Sequence, residues 1–337
     1  MRVIELAAAG VDSLRIVEKP TPKPAAGEVL LKMKAASLNY RDLASVRGAY
    51  GPSQRFPMVP LSDGCGEVVE VGAEVRRVKP GDRVATLFFQ NWIGGGPALE
   101  AISTALGGTL DGVWQEYVVL SENGVSKVPE HLGDFEVATL PCAALTAWRA
   151  LVVEGRLKAG DTIVAQGTGG VSIFALQFAK LHGAQVIITS SSDEKLAHAK
   201  RLGADHLINY KQRPEWAKAV KEITGGRGAD QVVEVGGAGT VVESLKAVRI
   251  GGHVSIIGAL TGLTKDIEIR LILGGNLRVQ GITVGSRESF EQMCRAIALH
   301  KMKPVIDKVF PFAATTDAFA YMAGQQHFGK IVIDFAA

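Results

Sequence analysis

Thr162-Ile163-Val164-Ala165-Gln166-Gly167-Thr168-Gly169-Gly170-Val171-Ser172 reads as a strand that enters a glycine-rich turn and opens a helix. The helical pattern ends at Gly183, a second strand occupies 185–189, and Ser190-Ser191-Ser192 follows. This strand–turn–helix–strand order is that of a dinucleotide-binding βαβ unit. Gly167 permits the tight turn off the strand, and Gly169 lets the backbone approach a pyrophosphate. The helix start at Gly170 and Val171 offers unpaired N–H groups and a positive dipole end to that anion. Ser172 stands at the third position of G-x-G-x-x-G, where a small side chain still allows close helix–strand packing. A glycine fingerprint alone also describes an ordinary turn. Its place between a strand and a helix is what makes it specific.

The end of the second strand points to one cofactor. NAD sites usually carry an Asp or Glu there to bind the ribose 2′-hydroxyl. This chain has Ser190, which does not repel a 2′-phosphate, and Lys195 follows on the next helix as a candidate cation. Asp193 is the competing acid, but it falls where a helix begins, where a carboxylate is at home for another reason. NADPH is therefore expected over NADH.

From about residue 160 strands and helices alternate, with strands at 162–165, 185–189, 206–208, 231–235, 253–257 and 277–283. Trp216, Val220 and Ile223 share a helix face, with Pro214 ahead of it and Gly225-Gly226 behind. Such alternation implies a doubly wound parallel sheet with right-handed crossovers. Residues 1 to about 125 are β-rich instead, with strands at 29–33, 66–71, 83–88 and 116–120 between Gly/Pro turns. The strand-like text of 330–335 is expected to pair back onto them. The fold class is α/β: a Rossmann domain at 126–303 and a β-rich domain from 1–125 and 304–337. The sixth strand of a doubly wound sheet lies at an edge, and 277–283 alternates apolar residues, so edge-to-edge pairing into a homodimer is expected.

Composition bounds the rest. With 337 residues and 47% hydrophobic content the chain can bury two cores. A net charge of +3 is too small to argue for nucleic acid or an anionic membrane. No apolar run approaches the roughly 20 residues that span a bilayer. Met1 to Leu6 reads directly as a strand, so no signal peptide is expected. Cys65, Cys142 and Cys294 lie far apart, which gives neither a disulfide framework nor a C-x-x-C pair and fits a reducing cytoplasm.

The chain resembles the medium-chain dehydrogenase/reductase superfamily over almost its whole length, and within it the zinc-independent quinone-oxidoreductase branch. The matches are Ala35-Ala36-Ser37-Leu38-Asn39-Tyr40-Arg41-Asp42, Asp63-Gly64-Cys65-Gly66-Glu67-Val68-Val69 and Gly81-Asp82-Arg83-Val84. Leu140-Pro141-Cys142-Ala143-Ala144-Leu145-Thr146-Ala147-Trp148 and Phe328-Gly329-Lys330-Ile331-Val332 complete them in family order. The resemblance implies a GroES-like N-terminal domain. The superfamily's zinc enzymes carry Cys where this chain has Asn39, and Gly-His-Glu where it has Leu61-Ser62-Asp63. Their third ligand falls near Cys142, and their structural-zinc cysteines would fall in 88–112, which contains none. No metal is expected, since one thiol does not hold zinc, and Cys142 reads as a small core residue.

For a metal-free member, the resemblance implies a nicotinamide pocket lined by Asn39, Asp42 and Tyr50. The second tyrosine of that branch is Ala44 here. It also implies 2′-phosphate contacts from Lys195 and Tyr210, and further cofactor contacts at Gly258 and Lys330. Trp92 and the glycine-rich loop 93–112 fit a lid. The expectation is a zinc-independent NADPH oxidoreductase that reduces a small molecule, a quinone or a C=C bond conjugated to a carbonyl. Two alternatives stand beside it: an alcohol dehydrogenase with an atypical metal at Cys142 and Asp63, and a non-catalytic NADPH-binding protein.

Overall fold

The computed structural model describes residues 1–50 and 54–337. The chain divides into two compact units, Met1–Leu145 with Val284–Ala337, and Thr146–Thr283. In chain order the first unit supplies strands β1 (Arg2–Leu6), β2 (Leu14–Glu18), β3 (Glu28–Leu38), β4 (Asp63–Val71), β5 (Arg83–Thr86), β6 (Tyr117–Ser121) and β7 (Val125–Lys127). The second supplies β8 (Thr162–Gln166), β9 (Gln185–Ser190), β10 (His206–Asn209), β11 (Ala229–Glu234), β12 (Val248–Ile256) and β13 (Arg278–Gly281). The chain then returns to the first unit with β14 (Ile306–Pro311) and β15 (Lys330–Asp334).

The second unit is the expected doubly wound sheet. Its order is β10-β9-β8-β11-β12-β13, and every neighbouring pair is parallel. Every residue of the central strands β8 and β11 is buried. Strands covered on both faces read as continuous apolar runs rather than alternating ones, as Ile163-Val164-Ala165 does. β13 is an edge, and all four of its residues are exposed.

The first unit is a seven-stranded sheet of order β14-β15-β3-β4-β5-β7, with β6 also pairing with β3; β1 and β2 form a separate antiparallel pair. The C-terminal strand pairs back as expected. β15 runs antiparallel to β3, with Ile331 opposite Leu38. Trp114, Phe312 and Phe319 are fully buried in its core.

The boundary between the units differs from the sequence-based one. Residues 126–145 and 284–303 belong with the GroES-like unit, not the Rossmann unit. The cause is a set of non-local bonds. β7 pairs with β5, and the Cys142 N–H donates to Asp63 on β4 at 2.9 Å. The helix Arg287–His300 is tied by Arg287 to the Asn123 side chain at 2.7 Å and by Glu291 to Arg77 at 2.7 Å. No helix among the described residues is long and apolar enough to cross a membrane.

Candidate active site

In the Rossmann unit the turn after β8 is built as a cradle. Gly167 has φ +73°, and its N–H donates to Thr189 O at 2.7 Å, which ties the turn to the end of β9. A Cβ placed on Gly167 or Gly169 would meet no atom within 4 Å, so the space over the turn is open to a ligand. Gly169 caps the helix Gly170–Leu181, whose first N–H groups have no intrahelical partner. Ser172, the departure from the glycine fingerprint, donates its hydroxyl to Gln166 O at 2.5 Å and closes the helix onto the strand. Gln166 in turn donates to Glu234 at 2.7 Å, and Glu234 accepts from Gly236 N at 2.7 Å and Gly237 N at 2.8 Å. That buried network binds the phosphate turn to the loop after β11, a feature the sequence pattern did not disclose. Gly258, an expected cofactor contact, is glycine for an internal reason, because a Cβ there would lie 2.3 Å from Val235 O.

The residues expected at the 2′-phosphate come together at the ends of β9 and β10. Ser190 lies opposite Asn209, and the Tyr210 N–H donates to Ser190 O at 3.1 Å. Ser192 caps the next helix, Asp193–Arg201, by accepting from Lys195 N at 3.3 Å, which places Lys195 on its first turn. Asp193 is occupied elsewhere and accepts from Asn209 at 2.6 Å and Gln212 at 3.1 Å. The open glycine turn and the helix start behind it fit the pyrophosphate of a bound dinucleotide.

The GroES-like unit holds a buried polar cluster around the end of β3. Lys330, only 3% exposed, donates from Nζ to Leu38 O and to Asn39 Oδ1, each at 2.6 Å. Lys330, expected as a cofactor contact, thus has an interior place with both bonds made to the end of β3. The antiparallel register sets Ile331 against Leu38, so Lys330 falls beside Asn39 although 291 residues separate them. Asp42, expected in the nicotinamide pocket, lies in the same cluster. It is fully buried, and its Oδ2 accepts the Asn39 N–H at 2.7 Å, the backward-reaching half of a capping box on the helix Tyr40–Val46. Asp63 accepts from Ser62 Oγ at 2.6 Å and from Cys142 N at 2.9 Å. Tyr50 is half-exposed, immediately before residues 51–53, which lie outside the described residues.

Burial governs the charges. It raises Asp42 to about 6 against the pull of Arg41, and it raises Asp63 against the pull of Lys330. It lowers Lys330, whose positive form Asp63 defends. A hydrogen bond from the Asn39 side chain also favours the charged form of Asp63, which sets the amide nitrogen against that buried carboxylate although the contact falls outside strict hydrogen-bond geometry.

This cluster is a poor match to a zinc site. Where the zinc enzymes present thiolate and imidazole, the chain presents the Asn39 amide and the Ser62 hydroxyl, with one thiol at Cys142. Among the described residues no three His, Cys, Asp or Glu side chains converge as metal ligands do. The segment 88–112 is tied to the rest of its unit by several bonds. Arg41 donates to Leu106 O and Gly107 O, each at 2.8 Å, and lies over the Phe88 ring. The Arg287 and Glu288 N–H groups hold Trp92 O and Ile93 O at 2.8 and 2.9 Å. The loop 93–112 is therefore anchored near both ends and contains the short helix Leu99–Ile102.

A parallel dinucleotide sheet and a GroES-like unit define an oxidoreductase of the nicotinamide-dependent class. Residues 25–130 match the alcohol dehydrogenase GroES-like domain family, and residues 170–298 match the zinc-binding dehydrogenase family. The chain is 45% identical over 331 residues to a zinc-type alcohol dehydrogenase-like protein of Schizosaccharomyces pombe, covering 96% of each. It is 31% identical to a chloroplastic quinone-oxidoreductase homolog of Spinacia oleracea, covering 96% of this chain and 95% of that one. A solved putative alcohol dehydrogenase from Sinorhizobium meliloti 1021 matches with a TM-score of 0.93 at 41% identity, over 99% of this chain and 98% of its own. A solved NAD-dependent alcohol dehydrogenase matches at 0.91 and 33% identity, over 99% of this chain and all of that one. A mycobacterial protein solved with NADPH matches at 0.83 and 25% identity, with the same coverage. The chain belongs to the medium-chain dehydrogenase/reductase superfamily, whose members among these relatives include both alcohol dehydrogenases and quinone oxidoreductases.

Proposed function

We propose that the protein is a cytoplasmic, zinc-independent reductase that uses NADPH to reduce a quinone or a C=C bond conjugated to a carbonyl. The observation that carries this reading is the Lys330–Asn39 pair at 2.6 Å, an internal cation against the amide that stands where the zinc enzymes place a thiolate ligand. The glycine turn at Gly167–Gly170 would hold the pyrophosphate of the cofactor, whose nicotinamide would supply the hydride. An enone takes that hydride at its β-carbon, its π electrons move to the carbonyl oxygen, and the enolate takes a proton from water as NADP⁺ leaves. Asn39 stands to donate to that oxygen as charge develops, and Tyr50 supplies the second polar group. Ser190, Lys195 and Tyr210 favour the phosphorylated cofactor, in keeping with the NADPH complex of the mycobacterial relative.

A second reading, oxidation of alcohols with zinc, is favoured by the name of the 45%-identical relative. Elemental analysis of protein purified without added metal, combined with NADPH and NADH turnover on quinones, enones, ketones and alcohols, separates the two. The proposal expects metal-free protein active on quinones or enones with NADPH and insensitive to chelators. Stoichiometric zinc with chelator-sensitive alcohol oxidation would replace it by the second reading.

A further inference from the structure

We propose that Glu234 is a positioning residue for the cofactor: its buried carboxylate fixes the loop after β11 against the glycine turn and so sets the surface on which the nicotinamide half of a dinucleotide lies. The inference rests on the dinucleotide-binding part of the reading above and adds which residue shapes that half of the site.

Three observations carry it. First, Glu234 ends β11, is fully buried and draws five donors. One oxygen accepts from Gly236 N at 2.7 Å, Gly237 N at 2.8 Å and Thr240 Oγ1 at 2.6 Å. The other accepts from Gln166 Nε2 at 2.7 Å and from Ser244 Oγ. Second, Gln166 ends β8 and is bonded in return. Its Oε1 accepts from Val235 N at 3.2 Å and Gly236 N at 3.3 Å, and its Nε2 also donates to Ser244 Oγ at 2.7 Å. Two side chains thus lock the ends of β8 and β11 together. Third, the loop they hold is fixed from its far side as well. Thr261, after β12, donates from Oγ1 to Gly236 O and accepts the Gly239 N–H, each at 2.7 Å. A Cβ on Gly237 would lie 2.6 Å from Gly262 O, so the two loops are in close contact.

The network lies at the ligand crevice. A doubly wound sheet binds a dinucleotide at the carboxyl ends of its strands, where the strand order reverses. In the order β10-β9-β8-β11-β12-β13 that point falls between β8 and β11. Gln166 and Glu234 are the last residues of the two strands that flank it. The end of β9 is where the adenosine ribose is read, so the adenosine half lies over β9 and β10 and the nicotinamide half over β11 and β12. A buried carboxylate costs folding free energy that apolar residues of the same volume would not. What it supplies here is a loop fixed before the ligand arrives, which spares the ordering cost of binding.

Glu234→Gln tests the proposal while keeping the shape of the side chain. An amide has one oxygen and one NH₂ group. If the oxygen keeps the Gly236, Gly237 and Thr240 donors, the NH₂ faces that of Gln166. Turning the Gln166 amide over sets its NH₂ against the Val235 and Gly236 N–H groups instead. By fluorescence titration the Kd for NADPH should rise more than tenfold, the scale of one hydrogen bond to a charged group. The Kd for 2′-AMP, which reaches neither loop, should not change. The exchanged pair, Gln166→Glu with Glu234→Gln, restores every bond with donor and acceptor reversed, and should return most of the lost affinity. Equal losses on NADPH and 2′-AMP would make Glu234 a residue of the fold alone and overturn the proposal. An unchanged Kd for NADPH overturns it too, as does an exchanged pair no better than the single variant. Should Glu234→Gln fail to fold, Thr240→Val removes one bond between loop and carboxylate and should raise the Kd for NADPH about three- to tenfold; no rise there overturns it. None of these titrations needs turnover. A wild type that prefers NADH sinks the NADPH reading alone, and the same comparison made with NADH and adenosine then decides for Glu234.

Discussion

Replacing Asp42 by asparagine is expected to remove the pH dependence of stability that this group contributes. Burial raises the carboxyl from 3.8 to about 6, with Arg41 opposing, so the folded chain holds the proton more tightly than the unfolded one. A raised carboxyl contributes most below its unfolded value, and that contribution is lost as pH rises through about 6. Moving a carboxyl from 3.8 to about 6 is worth about 3 kcal/mol in full. About 2 kcal/mol of this falls between pH 4.5 and pH 8. The side chain is fully buried, so solvent screening removes little of it. An asparagine oxygen still accepts the Asn39 N–H now bonded at 2.7 Å, so the helix cap survives. Its amide hydrogens, however, face the Arg41 side, where the carboxylate now lies 3.4 Å from the guanidinium, and a donor left unpaired there costs about 1–3 kcal/mol at every pH. The wild type should therefore be the more stable at pH 4.5 and lose about 2 kcal/mol of that advantage by pH 8. Urea unfolding followed by tryptophan fluorescence at both pH values measures the difference. Parallel stability profiles, or a variant that loses ground as pH rises, would show that the Asp42 carboxyl is not raised by burial.

Lys195→Ala should raise the KM for NADPH more than tenfold and leave that for NADH nearly unchanged, since a charged hydrogen bond is worth about 1.5–3 kcal/mol. Steady-state kinetics with both cofactors measures it, and equal efficiency with both in the unmodified protein refutes the assignment. Val279→Pro, on the exposed edge β13, removes one ladder donor and should weaken a homodimer built through that edge. Sedimentation or light scattering checks this, and a monomeric wild type at micromolar concentration ends the idea.

The sequence disclosed what local periodicity encodes. The glycine turn, the six alternating strands and the serine end of β9 are short-range patterns, and the expected strands fall within a few residues of the observed ones. Segments 126–145 and 284–303 fall with the other unit through contacts distant in sequence, the β7–β5 pairing and the Asp63–Cys142, Arg287–Asn123 and Arg77–Glu291 bonds, which local periodicity does not encode. Lys330 shows the same limit at the site. Its Gly-Lys context marks it as important, but nothing nearby in sequence shows that its ammonium faces Asn39. That placement comes from the register of β15 on β3, a global property of the sheet. A slip of one residue would turn Lys330 to the opposite face and leave Asn39 Oδ1, Asp63 and Asp42 in the interior without the nearby ammonium. Two buried carboxylates without that cation would be costly, so the electrostatics of the cluster favour the register that builds it. The polar group hardest to read from the sequence is therefore also one that helps to fix the sheet around it.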